Sequence, residues 1–131
     1  MMGSRMTLDY IADGSPDCPL LRLYGFVPAE ARQLRAAAAG LAAGTSERVE
    51  VHRLSFVEAI GGCRLTLVVQ GWDGAVVRRG EPAEFDCGFT AGTWDNVAAL
   101  IEPFEQEANG FQWLAGVPGE AQLLLSVNGQ W

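Results

Sequence analysis

Between residues 48 and 90 the chain is strand-like almost throughout, and this stretch constrains the fold more than any other. Runs at 49–60, 63–72, 75–79 and 84–90 are rich in Val, Leu, Phe and Thr, and Gly61-Gly62, Asp73-Gly74 and the 80–83 turn separate them. Connections this short leave no room for a crossover, so consecutive runs are expected to pair antiparallel as a four-stranded meander. Run 84–90 alternates cleanly, with Phe85, Cys87 and Phe89 on one side and Glu84, Asp86 and Gly88 on the other. Run 49–60 does not. Val49 and Val51 favour one face while Leu54 and Phe56 favour the other, so a bulge is expected at His52 and Arg53.

Helical signals flank this stretch. Pro28 can occupy a first helical position, where its missing N–H costs nothing, and the alanine-rich segment after it has high helix propensity. Ala31, Leu34, Ala38 and Leu41 recur at helical spacing as a buried stripe, which leaves Glu30, Arg32, Gln33 and Arg35 mostly outside it. Gly44 is a natural C-terminal cap. A second helix is predicted over 91–102, capped by Thr90 or Thr93, with Trp94, Val97, Ala98 and Ile101 on one face and Pro103 ending or kinking it. Strands at 20–26 and 121–127 complete the order β-α-β-β-β-β-α-β. The expected fold is an α+β two-layer sandwich, a mainly antiparallel sheet with both helices on one face. At 131 residues one domain is expected over 1–131. Residues 1–18, turn-rich around Asp13-Gly14-Ser15-Pro16-Asp17, read as a loosely attached arm, and Met6 is a second candidate start. No internal repeat is readable.

Charge is unevenly distributed. Residues 1–79 hold all nine arginines against eight carboxylates, whereas residues 80–131 hold eight carboxylates and no basic residue, within a net charge of −7. An acidic half suits a cationic partner and repels nucleic-acid phosphates. Lysine is absent, so Schiff-base and P-loop lysine chemistry are excluded by residue type. Cys18, Cys63 and Cys87 are odd in number and widely spaced, which makes a poor disulfide framework and a poor zinc site. No uncharged run reaches the ~18 residues a membrane span needs, and the N-terminus lacks the apolar core of a secretory signal. A cytoplasmic protein is expected, with neither membrane nor nucleic acid as partner.

Candidate chemistry is sparse. His52 is the only histidine, so metal sites built on several histidines are excluded by count, and no GxSxG nucleophile elbow is present. No cofactor motif is found. Arg48, Arg53, Arg64, Arg78 and Arg79 lie in the meander with Glu50, Glu58, Glu84 and Asp86. Pairing of these charges across a solvent-facing sheet is the simpler reading. The functional reading is an arginine cluster that grips a carboxylate or phosphate, with Arg64, Arg78, Glu84, Asp86 and His52 as its candidate members. Trp94 and Trp113 fit core positions, whereas Trp72 at a turn and the terminal Trp131 fit an interface.

Three functions follow from these readings. The first is a non-catalytic protein-binding module whose acidic C-terminal half, through Glu102 and Glu105 with the peripheral tryptophans, engages a basic protein. The second is a small-molecule module or enzyme that uses strand arginines and carboxylates. The third is a structural subunit of a two-fold homodimer, prompted by the sheet edge that a fold of this size leaves unpaired. A concavity holding Arg64 or Arg78 beside a carboxylate would favour the second, and a flat acidic face with an exposed tryptophan the first.

Overall fold

A computed structural model describes residues 6–14, 16, 18–106, 109–115 and 121–131. It is an α+β fold, as expected, but its strands form two mixed sheets instead of one. In chain order the elements are β1 (Met6–Ile11), β2 (Leu20–Tyr24), α1 (Pro28–Ala43), β3 (Arg48–Glu50), a 3-10 turn (Val51–Arg53), β4 (Val57–Ala59), β5 (Cys63–Val69), β6 (Val76–Gly80), β7 (Ala83–Phe89), α2 (Ala91–Ile101), the single-turn α3 (Pro103–Gln106), β8 (Phe111–Ala115) and β9 (Gln122–Ser126). The five-stranded sheet has the order β4-β1-β2-β9-β8, and the four-stranded sheet β3-β5-β7-β6.

Both helices form where propensity and pattern agree. Pro28 opens α1, and Gly44, at φ 81°, closes it in the left-handed region that favours glycine. Ala31, Leu34, Ala38 and Leu41 are buried along one stripe, as the spacing predicts. Glu30 departs from the expectation. It is buried because its carboxylate turns back to accept the Val27 N–H at 3.1 Å and caps the helix start. In α2, Thr90 caps through its hydroxyl, which accepts the Thr93 N–H at 3.3 Å. Trp94, Val97, Ala98 and Ile101 are buried, and the Trp94 indole N–H donates to the Val68 carbonyl at 2.8 Å. The two helices pack against each other, α1 also touching β3 and β5, and α2 touching β7 and β8. Leu23 and Leu123 from one sheet meet Leu65 and Leu67 from the other beneath these helices, in one core.

Three sequence expectations are corrected. The 49–60 run is not one bulged strand: the 3-10 turn at Val51–Arg53 divides it, and β3 and β4 belong to different sheets. That division resolves the conflicting parities of Val49 and Leu54. The meander is likewise absent, because β5 and β7 are parallel neighbours and β6 lies outside β7 at the sheet edge. The 70–75 connection is no tight hairpin. Fully extended it reaches about 20 Å, ample to pass over one strand position, which takes about 10 Å. Finally, Met6–Ile11, expected within a loose arm, is an inner strand that pairs with both β2 and β4, and Met6 and Leu8 are fully buried.

The connectivity repeats even though the residues do not. β1 and β2 pair antiparallel, β2 runs into α1, and β3 and β5 then pair antiparallel in the other sheet. β6 and β7 pair antiparallel, β7 runs into α2, and β8 and β9 pair antiparallel in the first sheet. Each sheet therefore joins a leading pair from one half to a trailing pair from the other, through one parallel seam: β2 with β9, and β7 with β5.

Candidate functional site on the outer face of the four-stranded sheet

Strand alternation sends Arg48 and Glu50 of β3, Arg64 and Thr66 of β5, and Glu84 and Asp86 of β7 to the outer face, opposite the buried Val49, Leu65 and Phe85. Register aligns them: Arg64 lies beside Glu84, and Thr66 lies between Glu50 and Asp86. A register shift between Arg78 and Gly80 in β6 leaves Arg79 as an extra residue, and its guanidinium joins the same face. His52 and Arg53 enter from the 3-10 turn. Together these nine side chains line a concavity of about 400 Å³.

The arginines differ in how they are engaged. Arg79 Nε donates to Asp86 Oδ2 at 3.0 Å. Glu50 stands at the centre of a loose cluster, with Arg48 at 3.8 Å, Arg53 at 3.9 Å and His52 Nε2 at 3.9 Å. These separations exceed hydrogen-bond length, so the pairs are weak and exchangeable. Among the described residues Arg64 has no ion pair and no side-chain hydrogen bond, and neither has Glu84. The concavity holds four guanidiniums against three carboxylates, which makes it locally cationic on a chain of net charge −7.

His52 belongs partly to the fold. Its Nδ1 lies 3.1 Å from the Leu65 backbone nitrogen and 3.2 Å from the Leu65 carbonyl oxygen, where β3 has ended and that side of β5 has no strand beside it. Nε2, at the other side of the ring, faces Glu50. The ring thus extends the ladder by one bond, and so anchors the turn that presents Arg53.

Of the residues singled out from sequence, the structure brings His52, Arg64, Glu84 and Asp86 into this one concavity. Arg78 does not join them. It lies over the Tyr10 and Phe85 rings, with its guanidinium donating to Glu81 and to the Pro82 carbonyl. Trp72 stands at the adjoining end of the same face. Glu102 is exposed at the end of α2, and Trp131 follows the C-terminal turn over the five-stranded sheet; neither is near the concavity. Glu105 is only 8% exposed, clamped by Arg35 and approached by Arg32 at 3.7 Å. With Glu81 bound to Arg78 and Asp86 to Arg79, three of the six described carboxylates of the acidic half are set against arginines of the first half. Asp95 is exposed on α2, while Glu107 and Glu120 lie outside the described residues. Arg48, Glu50, Arg53, Thr66 and Arg79 were not singled out as site residues from sequence. The even-number alternation shared by 48–50, 64–66 and 84–86 was the available signal.

Nucleophiles and metal ligands are not gathered here. Cys63 and Cys87 point inward, and burial pushes both thiols up to about 12, so neither supplies a thiolate at neutral pH. Among the described residues no group of His, Cys, Asp and Glu is placed to hold a metal, and no helix is long and apolar enough to cross a membrane. Compared with known protein families, with characterised proteins and with solved structures, the chain matches none.

Proposed function

We propose that this protein is a binding module for a small carboxylate- or phosphate-bearing ligand, seated on the outer face of the four-stranded sheet. The observation that carries this reading is the unengaged Arg64 beside the unengaged Glu84, in a concavity ringed by three further arginines. A guanidinium offers a planar fork of donors that matches an anionic group in bidentate fashion. Arg64 supplies that fork. Arg48 and Arg53, held only loosely by Glu50, can turn toward the incoming charge. Glu84 is left to accept a hydrogen bond from a hydroxyl or ammonium of the same ligand. The reading of an acidic half that engages a basic protein has less support, because Glu81, Asp86 and Glu105 are each engaged by an arginine.

Calorimetric titration of the whole chain with inorganic phosphate and with succinate tests the proposal. At least one of these anions is expected to bind, with affinity falling about tenfold or more in Arg64→Gln, the loss of a charge-assisted pair. Glu102→Gln, at a distant exposed carboxylate, should leave it unchanged. Absence of binding at millimolar anion, or equal binding by wild type and Arg64→Gln, overturns the reading.

A further inference from the structure

The charged concavity continues along the sheet into a second, less polar one. Val68, Gln70, Trp72, Val77 and Gly88 line a depression of about 140 Å³ that shares Arg79 and Asp86 with the first. Its wall is Trp72, which at 66% exposure is the most exposed large apolar side chain among the described residues. Its floor is the Gln70 carboxamide, which lies over β7 in the space a Cβ at Gly88 would fill, so glycine lets this planar group lie flat on the sheet.

The exposed indole is carried by an anchored loop. Gln70 Nε2 donates to the Trp72 carbonyl at 3.0 Å and to the Gly88 carbonyl at 3.2 Å, and the Gly74 N–H reaches the same Gly88 carbonyl at 2.8 Å. On the other side, the Asp73 carboxylate accepts the Thr90 N–H at 2.9 Å, the Thr90 hydroxyl at 3.0 Å and the Thr93 hydroxyl at 2.8 Å. The backbone on both sides of Trp72 is thus tied to β7 and to the start of α2. Such anchoring holds an indole ready for a ligand, with little ordering cost on binding. A flat apolar wall, a planar carboxamide floor and a cationic neighbour suit a planar ring attached to an anion.

We infer that the ligand is an anion carrying a planar ring system, its phosphate or carboxylate at Arg64 and its ring against Trp72. The inference rests on the proposed anion site and extends it. Along β5, Arg64 and Val68 are four residues apart, about 13 Å. The ligand therefore needs a spacer between charge and ring, as a nucleoside phosphate has. Arg79 and Asp86, paired between the two depressions, lie where that spacer would cross and can meet its hydroxyls.

Three probes test this on the whole chain: inorganic phosphate, ribose 5-phosphate and adenosine 5′-monophosphate. Ring stacking on an aromatic side chain predicts that the nucleotide binds about tenfold or more tightly than ribose 5-phosphate. Trp72→Ala should close that gap without weakening inorganic phosphate, and Trp72→Phe should keep most of it. Arg64→Gln should weaken all three. Equal affinity for nucleotide and ribose phosphate, or a gap that survives Trp72→Ala, overturns the ring subsite while phosphate binding upholds the anion site. Failure of all three probes to bind overturns the ring subsite, and overturns the anion site as well when succinate also fails to bind.

Discussion

The two parallel seams occupy equivalent places in the repeated connectivity, yet their outer faces have opposite fates. Along β2 and β9, Leu20 and Leu124 are fully buried although they face away from the main core. The arginine of that face, Arg22, is fully engaged: it holds both Asp9 oxygens at 2.9 and 2.6 Å, donates to the Gly129 carbonyl at 2.7 Å and lies 4.3 Å from the centre of the Tyr24 ring. Along β5 and β7 the outer positions Arg64, Glu84 and Asp86 are charged, line an open concavity and, at Arg64, lack an ion pair or side-chain hydrogen bond among the described residues. An arginine whose donors are used by its own fold is structure. One whose donors point unengaged into a concavity is available to a ligand, and the first kind supplies the internal reference for the second.

The comparison breaks first if the five-stranded face is not closed. Leu124→Ala is expected to cost about 2–5 kcal/mol in urea denaturation, as deletions of fully buried leucine do. A loss below about 1 kcal/mol would mean that this face tolerates a cavity and is not packed. Arg22→Ala comes next, at about 1–3 kcal/mol, because the Asp9 carboxylate, only 14% exposed, would lose its bidentate partner. If Arg22→Ala proved neutral, burial of an arginine would no longer separate structural from available side chains here.

This contrast shows what the sequence could and could not reveal. The start of the first helix at Pro28 and its end at Gly44 were legible, and the second cap was narrowed to Thr90 or Thr93, of which the structure uses Thr90, because capping chemistry and periodicity are local. The inward set Phe85, Cys87 and Phe89 was legible for the same reason. What failed was non-local. Nothing in the spacing of 63–90 distinguishes a hairpin neighbour from a strand one place further out, so the parallel β5–β7 seam was missed, and with it the alignment of Arg64 and Glu84. Arg48 and Arg64 differ from Arg53 and Arg79 in parity along the chain, yet all four line one concavity, because each strand has its own register. The acidic half misled in a related way: Glu105 lies far in sequence from Arg35 and is clamped by it in space.

A smaller effect sharpens the comparison at the Trp72 loop. Hydrogen bonds from the Thr90 N–H, then from the Thr93 and Thr90 hydroxyls, hold the Asp73 carboxyl below its ordinary 3.8. A depressed carboxylate favours the folded state above its unfolded value, and that advantage is lost as pH falls through the folded value. Asp73→Ala should therefore lower the melting temperature by a constant, modest amount above about pH 5, and the gap to wild type should close as the pH falls below about 4. A gap that persists unchanged in acid would show that the charge of Asp73 does not tie this loop to α2.

The smallest expected stability effect is the most telling. Arg64→Ala removes a side chain that makes no ion pair or hydrogen bond with the described residues, so its denaturation midpoint should stay within about 0.5 kcal/mol of wild type. Around Arg64 the concavity holds Arg48, Arg53 and Arg79 against Glu50, Glu84 and Asp86, so repulsion and attraction offset and neither sign of the small change is favoured. The same substitution should abolish most anion binding. Set beside Arg22→Ala, which should lose stability and leave anion binding intact, it forms a crossed pair: one arginine matters to the fold alone, the other to the ligand alone. If Arg64→Ala destabilised the protein as much as Arg22→Ala does, Arg64 would be a structural residue of the sheet, and the outer face of β5 and β7 would lose its claim to be a site.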